Sequence, residues 1–167
     1  EPEKGKSWEM GIKWEALDHQ LSVDAAIYQI EKRNVLTTDP VDSTFSVAAG
    51  EVRSRGFDLN VAGNLTPEWR VIGGYAYVDA EVTKDNVNIP KNSFSLLNVY
   101  EFQDGALSGL GLGTGLKYVD ERAGQTANTA FSMGSYTVVD LLSYYKVNGK
   151  VRVNLDLKNL FDRDYDE

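Results

Sequence analysis

From Lys6 to Ala16 the chain reads KSWEMGIKWEA. Trp8, Met10, Ile12 and Trp14 fall on one side of a two-residue period, and Ser7, Glu9, Gly11, Lys13 and Glu15 on the other. Unbroken alternation marks a strand with one apolar and one wet face. It returns in Phe57, Leu59, Val61 and Leu65 against Asp58, Asn60, Ala62 and Asn64. It returns again in Val151, Val153, Leu155 and Leu157 against Arg152, Asn154, Asp156 and Lys158. Less regular stretches predict strands near 21–31, 69–80, 93–103, 110–119 and 135–146, about eight in all. No window carries a capped apolar stripe of helical period, so no helix is predicted.

The connections alternate in length. LDHQ (17–20), TPE (66–68), QDGALSG (103–109) and VNGK (147–150) are short, and Asn148-Gly149 is a strong hairpin signal. The segments 32–50, 81–92 and 119–133 are long. A meander with short turns at one rim and long loops at the other is the asymmetry of outer-membrane barrels. A soluble antiparallel sandwich or small barrel with an ordinary core gives the same alternation.

Two details favour lipid over core. Strands of about ten residues, tilted, span roughly 23 Å, close to the apolar band of a barrel. Aromatics also sit at the ends of the apolar faces: Trp8, Trp14, Trp69, Tyr77, Phe102, Tyr118 and Tyr145, as interfacial girdles require. The opposite faces carry Glu9, Lys13, Asp24, Asp58, Asn60, Asp140, Arg152 and Asp156. Eight strands closing on themselves leave little more room than side chains fill, so this mixed charge suits an arc of a larger, wet or plugged barrel.

Composition narrows the classes. The chain has 167 residues, enough for one domain, with 17 Lys+Arg against 25 Asp+Glu and a net charge of −8. That balance argues against nucleic acid as a partner. With no cysteine, disulfides and thiolate metal sites are excluded. No apolar run approaches the roughly 18 residues of a membrane helix, which excludes a helical span and leaves a barrel open.

Three stretches are similar to one family. NLFDRDY (159–165) resembles the Asn-Leu-Phe-Asp-x-x-Tyr segment near the carboxyl end of TonB-dependent outer-membrane receptors. PEKGKSWEMGIKWE (2–15) and SYTVVDLLSYY (135–145) resemble two other late barrel strands of that family, in the right order. TTDPVDSTFSVAAGEVRSRGFDLNVAG (37–63) and LSGLGLGTGLKYV (107–119) are similar to receptors for hydroxamate siderophores of the ferrichrome and ferrioxamine type. The resemblance implies an all-β antiparallel meander of about eight strands, roughly the last third of a barrel of about 22. The plug domain, the TonB-binding box, the earlier strands and the final strand would lie outside it. It also implies a ferric siderophore as cargo, TonB as partner through the amino-terminal region, and contact with outer-membrane lipid and lipopolysaccharide. Other cargo of the same family, such as cobalamin, haem or a glycan, and a passive porin stay open.

No catalytic constellation is legible and no cofactor is expected; iron enters only as cargo. His19, the single histidine, lies in a short turn and reads as solvated. The acidic run DRDYDE (162–167) lacks calcium-loop spacing. GLGLGTG (109–115) is glycine-rich inside a strand, where an inward glycine admits a close neighbour or a plug. Binding therefore falls to the long loops. Phe45, Tyr118, Phe131 and Tyr136 are the candidate ligand contacts, with Arg122 for an anionic group. Phe131 leads, on the loop 119–133 that is expected to overhang the lumen.

Overall fold

The computed structural model describes residues 2–38, 44, 46–82, 85–86, 89–125 and 128–166; Phe45 lies outside them. The strands are β1 (Lys4–Ala16), β2 (Leu21–Thr38), β3 (Ser46–Asn64), β4 (Trp69–Val82), β5 (Asp85–Asn86) and β6 (Asn92–Glu101). They continue with β7 (Leu110–Val119), β8 (Arg122–Gln125), β9 (Asn128–Met133), β10 (Tyr136–Asn148) and β11 (Val151–Leu157). Eight of them form one sheet in the order β1-β2-β3-β4-β6-β7-β10-β11, with β5 paired to the end of β4. Every pairing is antiparallel. The only helical turn among the described residues is a 3₁₀ turn at Gly105–Leu107, inside a short connection.

Register extends the alternation across strands. Met10 pairs with Ile27, Ile27 with Phe57 and Phe57 with Tyr77. Further along, Leu96 pairs with Leu116 and Leu116 with Val139, while Leu141 pairs with Leu157. These residues share one face, called outer here. The inner face carries Glu9, Lys13, Asp24, Asp58, Asn60, Asp140, Arg152 and Asp156, as the pattern predicts.

Among the described residues, nothing covers the outer face. Trp8, Ile12 and Trp14 are 51%, 70% and 60% exposed, and among the described residues the buried apolar ones are Val71, Val119, Tyr136 and Val138. A sandwich would bury that face against a second sheet; among the described residues none packs on it. A bare apolar band of this extent belongs against lipid.

The inner face pairs part of its charge. Lys146 Nζ donates to Glu101 at 2.6 Å, Tyr144 Oη donates to the same carboxylate, and the Arg152 guanidinium lies 4.8 Å from the Tyr144 ring. Gly111 sits beneath that ring, where a Cβ would collide with it. The glycine-rich run thus admits a close neighbour, and the neighbour is Tyr144.

The short turns are built by local chemistry. Leu17, Asp18 and His19 are all left-handed, and Asn148 Oδ1 accepts from Lys150 N at 2.9 Å and Val151 N at 3.1 Å, an Asx turn. His19 is exposed and contacts the Glu15 carboxylate. Two long connections are more ordered than their sequence suggests. β2 and β3 are 18 and 19 residues long, reaching well into the predicted loop 32–50, and 119–133 contains the β8–β9 hairpin.

Candidate functional site

β2 to β4 continue past Ile27, Phe57 and Tyr77, and there their polarity inverts. Strands of 18 residues rise about 59 Å along their axis, far more than the roughly 25 Å band requires even when tilted. On the outer face the extensions carry Gln29, Glu31 and Arg33, then Glu51, Arg53 and Arg55, then Asp79 and Glu81. On the inner face they carry Ile30, Val52, Ser54, Val78, Ala80 and Val82. Val52 pairs with Val82, Ser54 with Ala80, and Ile30 with Ser54, which places this apolar patch at the inside of the long-loop rim. Ile30, Val78 and Ala80 lie in strands the sequence predicts, Val52 and Ser54 between predicted elements and Val82 in a predicted loop, so no single stretch announces the patch. The signal was a phase change: apolar positions are odd-numbered from 57 to 61 and even-numbered at 52.

Part of this patch lines a cavity of about 490 Å³. Val78, Ala80 and Ile89 form its apolar side, and Lys91, Asp120, Glu121, Arg122, Ser132 and Ser135 its polar side. Apolar walls with a few convergent polar groups suit a small-molecule ligand. Asp120 fixes the corner after β7. It accepts from Asn92 Nδ2 at 2.7 Å, from Glu121 N at 3.0 Å and from Tyr118 Oη at 3.3 Å. The Asn92 hydrogen bond, chiefly, holds its carboxyl below the usual range.

The residues predicted as ligand contacts separate. Arg122 lines the cavity, half-buried, and its Nη2 donates to Asp166 O at 3.1 Å. Tyr136 is on the inner face but buried: Tyr165 stacks on it with centroids 4.4 Å apart, and Lys117 Nζ lies 5.5 Å from its ring. The segment 159–166 reaches this position by folding back onto β10, with Leu160 N donating to Val139 O at 2.7 Å and Asn159 N to Asp140 Oδ1 at 2.8 Å. Phe131 is 54% exposed on β9 of the rim hairpin. Tyr118 stands on the outer face, paired with Phe94 and Thr137, and reaches the cavity lining only through its hydrogen bond to Asp120. No group of three or more metal-ligating side chains occurs among the described residues.

A family model described as "TonB dependent receptor-like, beta-barrel" matches residues 1–160. The chain belongs to this family. It is 44% identical, over its whole length, to the metal-pseudopaline receptor CntO of Pseudomonas aeruginosa, covering 25% of that protein. It is 42% identical over 98% of its length to the ferrichrome outer membrane transporter/phage receptor of Escherichia coli K12, covering 23%. Among solved structures, the ferric-catecholate import receptor Fiu of E. coli K12 superposes with a TM-score of 0.84 at 30% identity, over 99% of this chain and 24% of Fiu. The chain thus spans about a quarter of the length of these relatives. Membership in the TonB-dependent receptor family accounts for the uncovered band as a membrane-facing surface and implies the outer membrane as its place.

Proposed function

We propose that the protein imports a metal chelate, a ferric siderophore, across the outer membrane with energy delivered through TonB, and that this chain forms the carboxyl-terminal arc of its barrel. The observation that carries the reading is the inverted inner patch, whose Val78 and Ala80 line one cavity with Arg122. An apolar wall next to a guanidinium, at the long-loop mouth of a barrel, suits a bulky chelate held by contact and a few hydrogen bonds. The sheet ends on β1 and β11, each paired on one side, which agrees with neighbours from a larger barrel completing it. The same placement brings membrane lipid and lipopolysaccharide against the outer face.

For cargo, a ferric hydroxamate is the first reading, supported by the 42% identity to the ferrichrome transporter. The chelate named for the metal-pseudopaline receptor is the second, supported by 44% identity over the entire chain. Binding of ferrichrome, ferrioxamine B and metal-loaded pseudopaline to the intact receptor separates the two, and radiolabelled uptake with and without TonB tests the energy coupling. Uptake that persists without TonB would make the protein a passive pore.

A further inference from the structure

We infer that the ligand site extends beyond the mouth cavity to Tyr28, whose ring is a contact for the organic shell of a broad chelate. This rests on the protein being a chelate importer. Tyr28 is on β2 and faces inward, two residues before Ile30, at the edge of the inverted patch nearer the short turns. Its ring lies across Gly56 of β3, where a Cβ would collide with it. Gly56 pairs in turn with Val78 of β4, which lines the cavity. With neighbouring strands about 4.8 Å apart, the ring borders the cavity's apolar wall.

Among the described residues, the inner face of the main sheet carries three aromatic side chains, Tyr28, Tyr136 and Tyr144. Tyr136 is buried, with Tyr165 stacked on it. Tyr144 also lies across a glycine, Gly111, but it is fully engaged: its hydroxyl donates to Glu101, and Lys146 and Arg152 stand over its ring. Tyr28 has no cation over its ring among the described residues. Ser54 and Asp58 are beside its hydroxyl, and the side chain is half-buried. Packing on Gly56 fixes the ring and leaves part of it open to the lumen. A ring held in place before binding loses little freedom on contact, and an apolar face with a polar tip suits a chelate's organic shell.

Its place in the sheet sets what Tyr28 can select. The ring stands over β3 and Arg122 follows β7, and β3, β4, β6 and β7 are successive neighbours. Three strand spacings separate them, about 14 Å along the wall. A compact ligand fits the cavity of about 490 Å³ without reaching Tyr28. A ligand that meets both the ring and the guanidinium must cover that breadth, as a metal wrapped in a large organic shell does.

The test titrates the intact receptor with ferrichrome, ferrioxamine B and metal-loaded pseudopaline, as wild type, Tyr28→Ala, Tyr28→Phe and Tyr144→Ala, with heat-modifiable gel mobility checking the fold. For each chelate that the wild type binds, Tyr28→Ala should lose affinity about tenfold. Tyr28→Phe, which keeps the ring, and Tyr144→Ala, which empties the similar seat at the short-turn end, should bind as wild type. Hydroxyl-radical footprinting read by peptide mass spectrometry reports contact separately. Bound chelate should lower oxidation of Tyr28 together with Ile89, on the cavity's apolar side, and leave Tyr144 unchanged, a signature that a packing role does not produce. Unchanged affinity in Tyr28→Ala, an equal loss in Tyr144→Ala, or protection of Ile89 without Tyr28 would overturn the assignment. Binding of none of the three chelates by the wild type would refute the importer and the Tyr28 contact with it. Wild-type binding with Tyr28→Ala unaffected would refute the Tyr28 contact alone.

Discussion

Leu155 and Asn154 are adjacent on β11 and point to opposite faces, which makes them a matched pair for testing the face assignment. Leu155 is at the centre of the apolar run Val153–Leu155–Leu157, is 61% exposed, and pairs across to Ser143. An arginine there meets Leu141, Ser143, Tyr145, Val153 and Leu157 on its own face, with no carboxylate among them. At the bilayer midplane such a charge costs about 2–4 kcal/mol, equivalent to roughly 30- to 700-fold in the folding equilibrium. Asn154→Arg instead enters the inner groove lined by Arg70, Tyr144, Arg152 and Asp156, where water and the Asp156 carboxylate offset the charge. The expected cost is about 1 kcal/mol or less. The assay is the folded fraction of the intact receptor in native outer membranes, read by heat-modifiable gel mobility. Equal loss of the folded band in both variants would refute the face assignment on this strand.

Three further outcomes follow from the rim. Phe131→Ala should weaken chelate binding by about 1–2 kcal/mol, tenfold or so; titration of the intact receptor with ferrichrome checks it, and unchanged affinity would make the residue a packing element. Val78→Asp places a charge in the apolar wall beside Ile89 and should lower affinity about tenfold with wild-type gel mobility; unchanged affinity would remove the patch from the site. Asp120 has a folded pKa below its usual value, so its contribution is present above about pH 4 and is lost as pH falls through the depressed value. Protection of the Asp120 amide, which donates to Asn92 O at 2.9 Å, should persist to pH 4 and fall only below it. Hydrogen exchange already lost at pH 5 would contradict this.

The period-two pattern carried most of the fold because one face meets lipid and the other does not, so each strand's phase was fixed by chemistry. Where that contrast weakens, the reading weakens with it. Val138 and Val139, like Leu141 and Leu142, are adjacent apolar residues on β10, and neither phase stands out from sequence. Tyr118 and Tyr136, both at strand ends near the same rim, read alike in sequence, although one faces out and the other in. The stretch EKRNVLTT (31–38) reads as a polar loop because its charges are meant for water; it is strand because backbone pairing and cross-strand ions such as Arg33–Glu51 satisfy it. The β8–β9 hairpin has no alternation to announce it. The mouth cavity forms from segments far apart in sequence, joined by register that no single strand specifies.

The central claim is that β3 leaves the membrane where its polarity inverts, between Phe57 and Arg55. Nitroxide labels placed singly at positions 52 to 61 of the intact receptor in liposomes test it most directly, by relative accessibility to oxygen and to a water-soluble nickel chelate. The account predicts oxygen-dominated accessibility at 57, 59 and 61, chelate-dominated accessibility at 58 and 60, and a switch to chelate at the outward positions 53 and 55. Oxygen-dominated signals continuing through 55 and 53, or no alternation between 57 and 61, would contradict it.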